Sequence, residues 1–567
     1  MHRLLGLETE LAIRFSPDPE PGPRPGNHIV YRALADAVAD LVKTQPGESH
    51  GVEEHRFFTE SGASICYEAL PQAHDGGLVE IATPECDDPG QLVCHQRAIE
   101  ALLLRAIPGA SLRLAAEGYE GELALIKNCR DAEGHIYGAQ ENYEAEVARG
   151  AWLWAYRAGL ALAAPLVALQ ALLVWIVGLL FAAALIVFLL LAMIAGALVP
   201  RWRREGILDR LFAEDNRARD RIVGRVAQIL DRIVAAPALL LATLPLRLIA
   251  FRRQRQVILG FLVSRPILTG AGTLHPDGSF GLSEKGPAIQ RVVRAGSGSD
   301  ERPLFDTGNL MKDLFAPVRL RIRPYLALFR AKQRLQLGLS DANVAQASEF
   351  LKAGLTALML DMAEAGHLDD APRPADPIAA LHAIVADPTL QTRIPIAGRA
   401  PMTALELQRA YLDRARAFVR AAVTVSISTH QLLRLWAEAL DALQADPTRL
   451  VGALDWVTKR YLLEGCAPDG PFPVQKKIDI RYHELGGGYF ARVERAGLAR
   501  RVVRDDDIEA AIKRPPASTP ARLRGQLVRE LTGERLPVRV SWDSVRVGGR
   551  LRGKVISLRD RRGPRRP

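Results

Sequence analysis

The chain reads as an α+β protein carrying a membrane insertion, on three grounds. Short strand-like runs alternate with helical periods over the first 150 residues, which is the pattern of an α+β domain. From Ala158 to Pro200 there is no Asp, Glu, Lys or Arg, a run long enough for two bilayer crossings at about 20 residues each. From about Gln256 onward the composition is again globular. At 567 residues the chain exceeds a single hydrophobic core. The expected organisation is two parts of one globular region at 1–150 and 256–490, an insertion at 151–255, a C-terminal domain at 491–555 and a basic tail at 556–567.

The first strand is Leu5 to Ile13, with Glu8 and Glu10 on one face and Leu7, Thr9 and Leu11 on the other, because strand side chains alternate. Helices are expected at Val30–Val42 and Gln91–Ala106, the second with Leu92, Ile99, Leu102 and Leu103 at helical spacing. Between them, Ala63–Glu68 and Val79–Asp87 read as extended, and the latter sets Glu80, Ala82 and Pro84 on one face. Leu123–Asn128 reads as a buried strand, and Gly138–Tyr143 as a polar strand or loop following a turn at Asp131–Gly134. In the insertion, Arg157 precedes the apolar run and Arg201, Arg203 and Arg204 follow it. Basic residues at both ends predict a transmembrane helical hairpin over about 158–200 with cytoplasmic flanks. Ile233–Leu246, interrupted by Pro237 and Pro245, reads as part of an interfacial helix over about 221–250. Further on, Leu335–Leu339 is an expected strand, and Ser340–Asn343 an expected cap for a helix from Val344 to Ala365. Helices follow at Thr403–Val425 and Thr429–Leu443, and another opens at Leu454–Val457.

The chemistry suggested by these elements is that of gathered carboxylates. Glu8, Glu10, Glu68 and Glu80 lie on three short strands and would repel one another unless a cation sits between them. Hard oxygen ligands suit Mg²⁺, which would in turn bind a nucleoside triphosphate. The net charge of +10 is concentrated around the apolar middle and at the C-terminus, which favours an anionic membrane surface or an acidic partner. No zinc-finger spacing, recognition-helix signature or RNA-binding aromatic motif points to nucleic acid. The cysteines, Cys66, Cys86, Cys94, Cys129 and Cys466, are odd in number and form no C-x-x-C pair, so they read as free thiols in a reducing compartment. Nothing near Glu8 and Glu10 resembles a signal peptide, so the soluble parts are expected in the cytoplasm.

Several short motifs occur in series: Gly6-Leu7-Glu8-Thr9-Glu10, Glu80-Ile81-Ala82-Thr83-Pro84-Glu85-Cys86-Asp87, Lys127-Asn128, Tyr137-Gly138, Glu141-Asn142-Tyr143, Leu454-Asp455-Trp456-Val457, Tyr482-His483 and Ala521-Arg522-Leu523-Arg524-Gly525. In order and spacing the series resembles the family of Pup ligases and Pup deamidase/depupylases, across both globular regions but not the apolar middle. The resemblance implies a glutamine-synthetase-like fold, with a curved antiparallel sheet as a cradle for ATP and Mg²⁺ and a smaller C-terminal domain. It implies a ligase that activates the C-terminal Glu side-chain carboxylate of the small protein Pup, or a similar peptide tail, for attack by an acceptor lysine; the apolar run adds the expectation that this enzyme is membrane-anchored. By position, Glu8, Glu80 and Glu10 would be metal ligands, Thr83 and Trp542 would contact ATP, and Glu68 would be the catalytic acid. Cys66 stands where the family has a Tyr metal ligand, with Tyr67 next to it, and Ser64 where it has an Arg that meets ATP. Gln336 stands where the family has a His. A related hydrolase, or a non-catalytic nucleotide-binding membrane adaptor of the same fold, are the alternatives these replacements keep open.

Overall fold

Strand Leu5–Pro17 (β1) buries Leu5, Leu7, Thr9 and Leu11 and leaves Gly6, Glu8 and Glu10 half-buried, the alternation of a strand with one face on a core. The structure is a computed structural model that describes residues 3–48, 53–69, 76–198, 241–293, 302–466, 470–534, 536–549 and 553–558. The chain forms two compact units, one of Met1–Ala145, Arg253–Asp306 and Leu335–Pro567, the other of Glu146–Arg252 and Thr307–Arg334.

In the first unit β1 is followed by helix Asn27–Leu41 (α1), strands Thr44–Pro46 (β2), Glu53–Thr59 (β3), Ser64–Ala69 (β4) and Gly77–Ala82 (β5), helix Pro89–Ala116 (α2), and strands Gly121–Ile126 (β6) and Gln140–Glu146 (β7). The strands that follow are Thr273–Leu274 (β8), Phe280–Gly281 (β9), Arg291–Val293 (β10), Pro303–Asp306 (β11), Lys332–Leu337 (β12), Arg393–Ile396 (β13), Arg399–Thr403 (β14), Val538–Val540 (β15), Ser544–Val547 (β16) and Lys554–Ser557 (β17). The main sheet runs β10-β11-β12-β7-β1-β5-β4-β3-β2, with β6 paired to β1. The class is α+β as expected, but the sheet is mixed rather than wholly antiparallel, because β10 pairs β11 in parallel.

One sheet face is covered by α1 and α2. Leu11, Ile65, Tyr67, Val79 and Ile81 pack there against Val30, Tyr31, Leu34, Ile99, Leu102 and Leu103. Burying each large aliphatic side chain contributes about 1.5–3 kcal/mol, so the odd-numbered residues of β1, β4 and β5 fix which face is apolar. A one-residue slip would turn the carboxylates into that core. α2 runs ten residues beyond the expected Ala106 and passes through Pro108. An interior proline removes a backbone donor, but the buried row Leu102, Leu103, Ala106, Ala110 and Leu114 continues across it and holds the helix.

The long helix expected from Val344 starts at Gln346 and is buried on all sides, the pattern of a central core helix. Ala345 stands at its N-cap with no side-chain hydrogen bond. Asp341 accepts from the N–H groups of Ala271, Glu284 and Lys285 instead, and Asp455 receives the N–H groups of Val344 and Ala345. The small sheet β15-β16-β17 packs Val538, Val540 and Val545 against Phe58 and Val528. Cys66, Cys86, Cys94 and Cys129 are buried.

The second unit departs from expectation. The stretch from Ala158 is not a hairpin: Ala151–Leu198 (α3) is one unbroken helix of 48 residues. A hairpin needs turn chemistry, and between Leu166 and Ala195 the only punctuating residue is Gly178. Most of the expected interfacial helix, residues 221–240, lies outside the described residues, as does the basic tail beyond Leu558, while 241–248 is helical. Short helices over Gly308–Leu314, Ala316–Arg319 and Ile322–Ala327 complete this unit.

Candidate active site

The sheet register assembles the site. Glu10 lies opposite Glu80 and Glu8 opposite Ala82, Cys66 lies opposite Glu80, Ser64 opposite Ala82 and Glu68 opposite Leu78, and Gln140 lies opposite Glu8. Directly opposed residues share a face. Glu8, Glu10, Ser64, Cys66, Glu68 and Glu80 therefore all stand on the face turned away from α1 and α2.

The carboxylates are tied into their surroundings rather than loose. The N–H of Gly138 donates to Glu10 Oε2 at 2.8 Å, and Glu10 also shares a hydrogen bond with Glu68. Burial holds the Glu10 carboxyl above its ordinary range, against the opposing pull of that N–H and of Lys285 and Arg302. The amide of Gln336 donates to Glu8 Oε2 at 3.5 Å and more closely to Gln140 Oε1. Carboxylate oxygens are hard donors of the kind that fit Mg²⁺. Cys66, with no exposed surface and a soft sulfur, fits that ion poorly. Tyr67 cannot stand in for it, because it points to the opposite face, stacks on Tyr31 at 5.6 Å and donates to the carbonyl of Gly76.

The residue that sequence reasoning missed is Arg56. The register of β3 against β4 shifts between Glu54 and Phe57, so that His55 and Arg56 together face Cys66, and His55 takes φ +48°. Such a bulge re-aims a side chain. The Arg56 guanidinium reaches Ser64 Oγ at 2.8 Å and lies 3.7 Å from Glu80 Oε1. A cation thus arrives beside Ser64 from the neighbouring strand. The outlier His55 conformation leaves no mark in the residue pattern, so nothing short of the register would have found it.

Thr83 and Trp542 are placed differently from the carboxylates. Thr83 is buried, and its hydroxyl accepts from the Leu7 N–H at 3.0 Å while its own N–H donates to the Leu7 carbonyl. It locks the end of β5 to β1. Trp542 has Phe58 in a T-shaped contact at 5.1 Å and the Arg524 guanidinium 4.6 Å over its ring. Arg524 is fully buried, donates to both oxygens of Glu85 and to the Gly62 carbonyl, and so joins the C-terminal sheet to the end of β5.

The remaining motifs converge on a buried framework. Lys127 bridges Glu100 at 2.6 Å and Glu349 at 3.1 Å, Asp455 accepts from Asn343 and Tyr482, and Lys459 pairs with Asp479 and Glu284. His483 is fully buried, 3.4 Å from Glu284. Among the described residues, three potential metal-ligand atoms come within 4.8 Å of one another only at Asp131, Glu133 and His135, on a turn where Glu133 and His135 are exposed.

The family profile described as "Pup-ligase protein" matches residues 3–546. The chain is 26% identical to a Pup--protein ligase of Paenarthrobacter aurescens, covering 98% of this chain and 95% of that protein. It is 25% identical to one of Acidimicrobium ferrooxidans, covering 89% and 86%, and 25% identical to one of Mycobacterium leprae, covering 98% and 95%. Its fold is similar to the Pup ligase PafA solved in complex with Pup, with a TM-score of 0.66 at 21% identity over 99% of this chain and 90% of that one. It is also similar to PafA solved with ADP, with a TM-score of 0.61 at 20% identity over 97% and 94%.

Proposed function

The chain belongs to the Pup-ligase family, and from that membership we propose that it activates a Glu side-chain carboxylate on a Pup-like small protein or peptide tail with ATP and joins it to a lysine of an acceptor protein. It is an enzyme of the ATP-dependent, isopeptide-forming ligase class. The observation that carries the reading is the register that sets Glu8, Glu10, Glu68 and Glu80 on one face, with Arg56 between Ser64 and Glu80.

In this reading a tail carboxylate oxygen takes the γ-phosphoryl group and ADP leaves. The lysine amine then attacks the acyl carbon, phosphate departs, and the amine proton passes to Glu68, a role commonly worth about 10²–10⁴ in rate. Glu8, Glu10 and Glu80 would hold Mg²⁺, which would neutralise the phosphates. Arg56 offers a second positive charge to the same oxygens, the part the family's arginine plays from the position of Ser64. Trp542 stacks on the base, and Thr83 acts by fixing β5 rather than by touching nucleotide.

The reading includes attachment to the cytoplasmic membrane. α3 is covered along Tyr156, Leu160, Ala163, Val167 and Gln170, and its described side chains from Ala171 onward are exposed or half-buried and apolar. At about 1.5 Å per residue, the 28 residues from Ala171 to Leu198 exceed the roughly 30 Å of a bilayer core.

The test is incubation of the purified protein with Mg²⁺, ATP, a small protein ending in Glu and a lysine-bearing acceptor, followed by intact-mass analysis. An adduct equal to both proteins minus one water supports the reading. ATP binding with neither adduct nor ADP would leave an adaptor.

A further inference from the structure

We infer that the segment Ala316–Arg330 is a docking surface for an anionic lipid leaflet, built around the base of α3. The inference rests on the membrane reading of that helix and extends it to a different part of the chain.

Residues 315–334 contain Arg319, Arg321, Arg323, Arg330, Lys332 and Arg334 and no Asp or Glu. Within the first part the arginines alternate with large apolar residues that the fold turns outward. Leu320 is 77% exposed, Ile322 56% and Leu326 57%. Leu320 sits in the left-handed region at φ +58° between the two short helices Ala316–Arg319 and Ile322–Ala327. Single exposed leucines are ordinary on soluble proteins, but three within seven residues, interleaved with three arginines, form the amphipathic pattern of an interfacial anchor.

The inner side of the segment is fixed to α3. Tyr325 is buried and donates to the Leu160 carbonyl at 2.6 Å, Arg157 donates to the Phe329 carbonyl at 2.9 Å, and Trp175 donates to the Val318 carbonyl at 3.1 Å. These bonds lie along the part of α3 that is covered by protein and stop near Gln170 to Trp175, where the exposed apolar stretch begins. The segment runs back along α3 from Val318 at Trp175 to Phe329 at Arg157, so Leu320 stands nearest the level at which the helix would enter lipid, with Ile322 and then Leu326 behind it, and Trp175 is the residue type found at that boundary. Charge decides the occupant. A second copy would bring the four arginines of the segment against four like charges, whereas an anionic headgroup layer gains about 1 kcal/mol per nearby arginine.

The experiment is limited tryptic digestion of the full-length protein reconstituted in phosphatidylcholine vesicles with and without phosphatidylglycerol, with cleavage after Arg319 and Arg321 counted by mass spectrometry against cleavage after Arg416. Arg416 is an exposed residue of the first unit. In phosphatidylglycerol vesicles, cleavage at the segment should slow about tenfold relative to Arg416, and high salt or the triple variant Leu320→Ser/Ile322→Ser/Leu326→Ser should restore it. Equal cleavage in both lipids, or protection that survives the triple variant, overturns the inference while vesicle flotation upholds the α3 reading. A chain that floats with neither vesicle overturns both.

Discussion

Glu80 is the most constrained of the site carboxylates, opposed by Glu10 on one strand and by Cys66 on the other, with Arg56 at its side. Glu80→Gln keeps the shape and removes a charge, so it should leave the fold intact and weaken Mg²⁺-dependent ATP binding by about tenfold or more, the equivalent of roughly 1.4 kcal/mol. Titration calorimetry with and without Mg²⁺ checks this, and unchanged affinity would make the carboxylates a solvated sheet face. Glu8 and Glu10 were legible on one face because strand alternation is a two-residue period that needs no tertiary knowledge, whereas the face they share with Glu68 and Glu80 is set by the strand register. Arg56 was not, since a bulge changes which face a residue meets without changing its residue type. The proximity of Tyr67 to Cys66 in sequence was misleading for the same reason, as neighbours in a strand face opposite ways.

At the scale of elements, the Glu85–Arg524 pair deserves its own test, because the end of β5, the helix Pro520–Leu531 and the β15-β16-β17 sheet meet at that guanidinium. Arg524→Met keeps apolar bulk but leaves Glu85 and the Gly62 carbonyl without their donor, at a cost of about 3 kcal/mol. Amide exchange in β15–β17 should then accelerate well before the α2 core opens, and nucleotide affinity should fall with it. Uniform protection across both regions would show the pair to be incidental. Helices and strands with an apolar period were legible as elements, including the Thr403 start, where the structure has a full capping box with Glu406. Element ends set by distant residues were not: Asp455 lies more than a hundred positions from the Val344 and Ala345 N–H groups it holds just ahead of the Gln346 helix, and the row of buried residues that carries α2 through Pro108 is a property of its packing.

For the whole molecule, connectivity limits the insertion. Ala145 and Arg253 both belong to the first unit, so any segment between them that crosses a bilayer must cross an even number of times. In the proposed reading α3 is one such crossing. The composition of 158–200 correctly marked an uninterrupted apolar segment, but length alone does not distinguish a hairpin from one long helix; the absence of turn residues around Gly178 does. Protein expressed in cells should remain with membranes after carbonate washing, and recovery in the soluble fraction would contradict the anchor while leaving the cradle untouched. The claim on which everything else depends is that the carboxylate face turns over ATP. The most direct measurement is ADP release by wild type and by Glu68→Ala with Mg²⁺ and a Glu-ended small protein, alongside ATP affinity for both. Wild type should release ADP in step with tail consumption, and Glu68→Ala should lose about 10²-fold or more of that rate with ATP affinity nearly unchanged. Identical background hydrolysis by the two proteins with every tail offered would contradict the account.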